Sequence, residues 1–177
     1  TVRFFSVMYI EFIRAVPLIT ILFMASNVLP LFFDAGVTMD KLVRALIAIT
    51  LFQAAYMAEV VRGGLQAIPK GQYEAADAIG LSYYQKNILI VLPQALKISI
   101  PNIVGSSISL FKDTTLVLII GLMDFLAVVT GAAADKEWLG RHLEGYVFVA
   151  MVLWVMLYTM SRYSKKLELR FNTENKN

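Results

Sequence analysis

Residues 72–95 read QYEAADAIGLSYYQKNILIVLPQA, and this stretch decides how the rest of the chain is interpreted. It is too polar for a membrane span, but the sequence on either side of it is apolar. Each flanking apolar stretch approaches the roughly 20 residues that a helix needs to cross the hydrocarbon of a bilayer. The stretch therefore predicts a polar connection that lies on one face of a membrane.

Two short helices are expected within this connection. Residues 73–79 are rich in Ala and Glu, which favour helix. Gly80 can adopt the left-handed conformation that ends a helix. Ser82 can then cap a second helix, with Gln85 three residues later to complete a capping box. Pro93 disfavours helical geometry at the residue before it, so we expect the second helix to end there.

The composition indicates a membrane protein. Of the 177 residues, 58% are hydrophobic and only 16% are charged, whereas soluble domains are nearer half apolar and a quarter charged. The net charge of +3 is too small to suggest a nucleic-acid partner, and without cysteine the chain has no disulfide framework. Because the chain begins at Thr1 and enters an apolar stretch at once, we expect an N-terminally truncated fragment that lacks at least one span.

The apolar pattern predicts an all-α, polytopic transmembrane helical bundle that forms one domain over residues 1–177. Four spans are expected, and each is near the length of a membrane crossing. The third contains Lys112 and Asp113, and a break there would divide it into a longer and a shorter helix. The four spans cover residues 16–33, 42–61, 98–122 and 147–163.

The distribution of Lys and Arg predicts the orientation in the membrane. With four spans, the N-terminal segment, the connection between the second and third spans, and the C-terminal tail lie on one side. That side holds 11 of the 16 Lys and Arg residues, and the opposite side holds only 4. Since cytoplasmic segments carry the excess of positive charge, the polar connection and the C-terminus are predicted to be cytoplasmic.

The polar connection also carries a family signature. Its spacing E-A-A-x3-G-x9-I-x-L-P resembles the EAA motif of the membrane subunits of bacterial ABC importers. We refer to residues 66–95, which include this motif, as the EAA segment. The motif residues are Glu74, Ala75, Ala76, Gly80, Ile90, Leu92 and Pro93.

Further stretches resemble the polar amino-acid permeases, which include the histidine, glutamine and general L-amino-acid importers. Gly105 departs from the family pattern, because many relatives have Asn near this position, and this weakens any transfer of substrate contacts. The matching stretches are RAVPL at 14–18, AYMAEVVRGG at 55–64, PKGQ at 69–72, PQAL at 93–96 and FKDTTL at 111–116.

The resemblance implies a type I ABC importer permease that translocates polar L-amino acids across the bacterial inner membrane. It implies two permease subunits, either identical or paired with a sister subunit, and two ATPase subunits that dock on the EAA segments. A periplasmic amino-acid-binding protein would deliver the substrate. ATP would be bound by the partner ATPase, so that no cofactor is expected in this chain.

Lys112, Asp113 and Thr114 are candidates for the substrate pathway or for its gating, because intramembrane charges usually face a bundle interior or a cavity. The alternative is a structural pair at the outer membrane edge. Glu59 and Arg62 are spaced for an i,i+3 ion pair. A single histidine, His142, does not make a metal site, and no metal is expected.

Three common enzyme motifs are absent from the sequence. The sequence has no G-x-x-x-x-G-K-[ST] phosphate loop, no H-E-x-x-H and no G-x-S-x-G. Energy for transport must therefore come from a separate ATPase or from an ion gradient. An ion-gradient-driven secondary amino-acid carrier is the alternative function, since a break at Lys112 and Asp113 fits the discontinuous helices of such carriers.

Overall fold

The computed structural model describes residues 1–33, 39–138 and 140–173, and all regular secondary structure within them is helical. The predicted all-α class is thus confirmed. A π-helical turn, Asn87–Val91, joins α5 to α6, and 3₁₀ turns lie at Leu29–Phe32, Thr114–Ile120 and Lys136–Trp138. The α-helices are α1 (Val2–Ala15), α2 (Leu18–Asn27), α3 (Lys41–Gln66), α4 (Lys70–Ala78), α5 (Tyr83–Lys86), α6 (Leu92–Asp113), α7 (Phe125–Ala133) and α8 (His142–Thr173).

Three of the described helical stretches are long and apolar enough to cross a membrane. They are Lys41–Gln66, Tyr83–Ile120 and His142–Arg170. The predicted spans 42–61, 98–122 and 147–163 lie along these three stretches, although the last two helices extend well beyond the predicted bounds.

The first predicted span, residues 16–33, differs from the helix that forms there. α2 has ten residues and is therefore about 15 Å long, half of what a crossing needs. Val16 is extended because it precedes Pro17, and α1 and α2 meet at an angle of 101°. The two helices together form either a broken span or a re-entrant pair, a geometry that counting apolar residues alone does not detect.

The prediction that a helix ends before Pro93 is wrong. The helix runs on from Tyr83 to Ile120. Within the π-helical turn the Leu92 N–H donates to the Asn87 carbonyl, five residues earlier rather than four. The wider turn accommodates Pro93, which has no N–H and whose ring would otherwise clash with the carbonyl four residues before it.

The chain divides into two compact units. The first comprises Thr1–Ala55 and Ile108–Met160, and the second comprises Tyr56–Ser107 and Ser161–Asn177. The EAA segment lies wholly in the second unit. Lys112, with its neighbours Asp113 and Thr114, lies in the first.

In the second unit, α3 and α6 approach each other closely at Gly64. A Cβ on Gly64 would lie 2.0 Å from the Ser99 hydroxyl and 2.7 Å from the Ala95 carbonyl, so no larger residue fits. The buried Ser99 donates through its hydroxyl to the Val60 carbonyl at 3.4 Å. Small residues at a helix crossing allow such close backbone contact, as is common in membrane bundles. This crossing fixes where the EAA segment begins and ends.

In the first unit, the 3₁₀ turn after α6 ends at Gly121, which has φ 73°. The Gly121 and Leu122 N–H groups donate to the carbonyls of Leu118 and Val117. Asp124 then begins α7 by accepting the Ala127 N–H at 2.8 Å. The predicted third span therefore ends in a tight turn followed by a short helix that the sequence analysis did not predict.

Candidate functional site

The EAA segment begins with α4 and turns sharply at Gly80. The Gly80 N–H donates to the Asp77 carbonyl at 3.0 Å, and the Leu81 N–H donates to the Ala76 carbonyl at 3.1 Å. This pair of bonds is the Schellman motif, which requires a left-handed residue. Gly80 has φ 77°, so the predicted left-handed glycine is confirmed.

The second short helix, α5, begins with the predicted capping box. The Gln85 N–H donates to Ser82 Oγ at 3.4 Å, and the Ser82 N–H donates to Gln85 Oε1 at 3.0 Å. Both donors would otherwise lack partners at the helix start. The backbone is thus fixed by local bonds on both sides of Gly80.

An ion pair spans the corner. Lys86 Nζ lies 2.6 Å from Asp77 Oδ1, which links the last residue of α5 to the last turn of α4. The Lys86 side chain is only 16% exposed, whereas that of Asp77 is 59% exposed. The Lys86 side chain is thus largely packed against the protein, and its ammonium is paired with the Asp77 carboxylate.

The start of α4 is linked to α6 by two amide side chains. Gln94 Nε2 donates to Gln72 Oε1 at 2.9 Å and to the Ile90 carbonyl at 3.0 Å. Beneath these contacts lies a small core in which Ile68, Val91 and Ala95 are buried and Leu65 and Tyr73 pack against them. Both ends of α4 are therefore held against the helix that follows it.

The motif residues are mostly exposed, but one is fully buried. Ala76 has no accessible surface, Ile90 is half-buried, and the others are exposed. Large apolar side chains are also exposed around the corner, above all Ile79, Tyr83 and Tyr84. A cluster of exposed apolar residues on a polar connection is typical of a protein interaction surface.

Comparison with known proteins identifies the family. A family described as "Binding-protein-dependent transport system inner membrane component" matches residues 1–172. The chain belongs to this family of inner-membrane transport components. The family is one of transport subunits rather than enzymes, and its name agrees with the apolar helices of a multi-pass inner-membrane protein.

Two similar proteins are named as permeases. The chain is 58% identical over 172 residues to the "Inner membrane amino-acid ABC transporter permease protein YhdY" of Escherichia coli (strain K12), covering 97% of this chain and 47% of that protein. It is 52% identical over 176 residues to the "Glutamate/glutamine/aspartate/asparagine transport system permease protein BztC" of Rhodobacter capsulatus, covering 99% and 41%. The chain thus spans less than half the length of these two relatives.

A solved structure has the same fold. The chain superposes on one described as "Crystal structure of an amino acid ABC transporter with histidines" with a TM-score of 0.82 and 29% sequence identity. The superposition covers 92% of this chain and 73% of that one. The predicted ABC-importer permease fold is confirmed by this likeness and by the family match.

The three candidate pathway residues lie where α6 gives way to the 3₁₀ turn. Lys112 and Thr114 are exposed and Asp113 is half-buried. Adjacent residues on a helix do not face each other, so Lys112 and Asp113 are poorly placed to pair. The hydroxyls of Thr114 and Thr115 donate to the carbonyls of Phe111 and Lys112, which closes the end of α6.

Some residues that shape the site were not identified from the sequence. The Glu59–Arg62 pair was predicted and is present at 2.7 Å. Asp77–Lys86 was missed, although its two members lie on either side of the predicted corner, and this placement was an available signal. The Gln72–Gln94 contact joins two motif stretches that were recognised separately. The neighbouring sequence gave no indication that Gly64 is crowded, because the crowding comes from α6, which lies far from Gly64 along the chain.

Proposed function

We propose that the chain is a permease subunit of an ABC importer that translocates polar L-amino acids across the bacterial inner membrane. The observation that best supports this proposal is the EAA segment. It combines the full motif with a rigid corner around which large apolar side chains are exposed. The printed names of the relatives support the substrate class. That of the Rhodobacter capsulatus relative suggests glutamate, glutamine, aspartate and asparagine as the first substrates to test.

The EAA segment is proposed to dock on a separate ATPase, which binds the ATP. The helix that begins at Tyr83 continues without a chain break to Ile120. A displacement of the corner is therefore transmitted directly to a membrane-spanning helix. Glu74 is exposed on α4, and a basic residue of the ATPase is its expected partner. Such docking would couple ATP-driven closure to rigid-body switching between two states of the permease.

The remaining partners follow from the same proposal. A second permease subunit, either a copy of this chain or a sister subunit, would complete the pathway, and a periplasmic binding protein would deliver the amino acid. The EAA segment and the C-terminus would be cytoplasmic, as the Lys and Arg distribution favours.

Asp113 is the strongest of the candidate pathway residues. It is half-buried, whereas Lys112 and Thr114 are exposed. It lies within the membrane-spanning stretch Tyr83–Ile120, and an intramembrane carboxylate usually faces a bundle interior or a cavity. We therefore assign Asp113 to the pathway or its gating.

The proposal is tested by assembly and by the energy source. The chain is co-expressed with the ATPase and the binding protein that the neighbouring reading frames are expected to encode. The complex is then purified and reconstituted in proteoliposomes. We expect the ATPase to co-purify and uptake of labelled glutamate or glutamine to require ATP and binding protein. Uptake that proceeds without ATP and stops when an ionophore collapses the ion gradient would instead establish a gradient-driven carrier.

A further inference from the structure

We propose that two side-chain contacts, Asp77–Lys86 and Gln72–Gln94, are positioning contacts that make α4 and the helix from Tyr83 onward move as one body. The inference rests on the proposed function, because the motion in question is the one that couples ATP hydrolysis to transport. The four residues do not form the docking surface itself. They determine whether a force on that surface reaches the membrane helix.

α4 needs such contacts because it is short. It has nine residues, and isolated helices below about 12–15 residues are marginal in water. Its fully buried residue, Ala76, is small and buries little apolar area. Tyr73 adds a partly buried contact with the core beneath. The apolar packing alone is therefore too limited to hold α4 firmly against the helix that follows it.

The two contacts lie at opposite ends of α4. Gln72 is in its first turn and bonds to α6, 22 residues further along the chain. Asp77 is in its last turn and bonds to α5 across the corner. Two attachments separated by more than one helical turn oppose rotation about either one. Neither contact closes the corner locally, since the Schellman bonds and the capping box already do so.

In each contact one side chain is restrained by its surroundings. Gln94 also donates to the Ile90 carbonyl, which aims its amide toward Gln72. Lys86 has its stem largely buried and its ammonium on the Asp77 carboxylate. A partly buried, preorganised ion pair is less weakened by solvent than a fully exposed one. The motif glutamines of P-x-G-Q and P-Q-A-L thus acquire a defined role, because they bind each other.

The ion pair is tested in the complete complex. Asp77→Asn and Lys86→Gln are compared with the charge-swapped variant Asp77→Lys/Lys86→Asp. The readouts are ATPase co-purification, ATP hydrolysis with and without loaded binding protein, and ATP hydrolysed per amino acid transported. We expect each single variant to retain the ATPase and to lose stimulation by about fivefold or more, with partial recovery in the swap.

Two results overturn this assignment. One is wild-type stimulation in both single variants. The other is a fall in membrane-inserted protein that leaves ATP hydrolysed per amino acid unchanged, since this would mean that the pair serves folding alone. If a single variant is not recovered from the membrane, the glutamine pair, whose neutral side chains carry no buried charge, decides the question.

For the glutamine pair a double-mutant cycle is the sharper test. Gln72→Ala, Gln94→Ala and the double variant are measured for stimulation of ATP hydrolysis by loaded binding protein. The matched control is Asn102→Ala, which removes an exposed amide from α6 outside the EAA segment. If the two glutamines act through one shared contact, the double variant should lose no more stimulation of ATP hydrolysis than either single variant. Strictly additive losses, or an equal loss in the control, would overturn the pairing.

Amide hydrogen exchange separates this inference from the proposed function. In the wild-type complex the amides of residues 79–86 are expected to exchange slowly, and in Asp77→Asn they are expected to exchange faster. If the wild-type complex shows no ATP-driven uptake, the proposed function fails, yet the exchange comparison still measures the contact. If wild-type uptake is ATP-driven and exchange is unchanged in the variant, the inference alone fails.

Discussion

The corners at Gly80 and Gly121 have nearly the same backbone but were not equally predictable. Both glycines have positive φ, 77° and 73°, and both are followed by a capped short helix. In both, the N–H groups of the glycine and its successor return to the preceding helix. The first corner was predictable in detail from its residues, whereas the predicted span 98–122 extended across the second.

The difference comes from the residues around each glycine. Before Gly80 the chain is polar and helix-favouring, and after it Ser82 and Gln85 provide a complete start signal. Gly121 follows the apolar run TTLVLII at residues 114–120, which satisfies the length and composition of a span. In apolar sequence a glycine is common within transmembrane helices and so predicts little by itself. Polar segments specify their own turns, whereas apolar segments leave turns to tertiary packing.

Replacing each glycine distinguishes a loss of stability, which is expected at both corners, from a loss of function, which is expected only at Gly80. Gly80→Val and Gly121→Val should each cost about 1–2 kcal/mol of stability, because a Cβ is strained at positive φ. Only Gly80→Val should also abolish stimulation of ATP hydrolysis by loaded binding protein, since it turns α5 out of line with α4. The measurement is ATPase activity of reconstituted complexes, normalised to the permease recovered.

A more conservative pair provides the control. Gly80→Ala and Gly121→Ala introduce only one carbon, which has open space at Gly80 and lies 3.4 Å from Lys41 Nζ at Gly121. We expect both Ala variants to lose less stability than the Val variants, and only Gly80→Ala to reduce stimulation of ATP hydrolysis. Full ATP-coupled uptake with Gly80→Val would show that the EAA segment is not the coupling element, and it would remove the functional distinction between the two corners.

The second contrast lies just before the Gly121 corner. Asp113→Ala should reduce amino-acid uptake by about tenfold while the ATPase still co-purifies, because a missing pathway charge is worth more than about 1 kcal/mol. Lys112→Ala removes the neighbouring exposed charge and should have a smaller effect. Uptake and co-purification are measured on the same preparations. Normal uptake in both variants would assign the two charges to the outer membrane edge, as the alternative interpretation holds.

A third contrast compares the caps that follow the two glycines. Ser82→Ala and Asp124→Ala each remove a side-chain acceptor at a helix start, for an expected loss of about 1 kcal/mol. Asp124→Asn keeps an acceptor and removes the charge of Oδ2, which is buried and has no hydrogen-bond partner in the described residues. It should therefore be at least as stable as the Ala variant. Thermal unfolding of detergent-solubilised protein is the measurement, and an Asn variant less stable than Ala would contradict it.

More of the structure of the EAA segment than of the membrane helices could be predicted from the sequence. Gly80, Ser82 and Gln85 could be predicted because each acts on neighbours within five residues. The continuation of the helix through Pro93 could not, since the π-helical turn that accommodates the proline ring has no simple sequence signal. The crowding at Gly64 likewise depends on packing between helices. The bend at Val16 had a local signal in Pro17, which the assignment of a continuous span over residues 16–33 did not use. For the candidate pathway residues, only charge and position along the chain could be derived from the sequence, and neither defines a surrounding cavity.

The smallest perturbation tests whether the two corners lie on opposite sides of the membrane. The chain has no cysteine, so Tyr84→Cys and Ala134→Cys each create a single thiol at an exposed position, and neither removes a cap. The corner at Gly80 connects α3 to α6, and the segment after Gly121 connects α6 to α8. If α6 crosses the membrane once, the two corners are expected on opposite sides, and the Lys and Arg distribution favours a cytoplasmic location for the first. Whether α1 and α2 form a span changes only the side on which Thr1 lies.

A membrane-impermeant maleimide added to intact cells should label Ala134→Cys alone, and inside-out vesicles should expose Tyr84→Cys alone. Labelling of both from the same side would mean that α6 does not cross the membrane, and a displacement at Gly80 would then have no transmembrane helix to move.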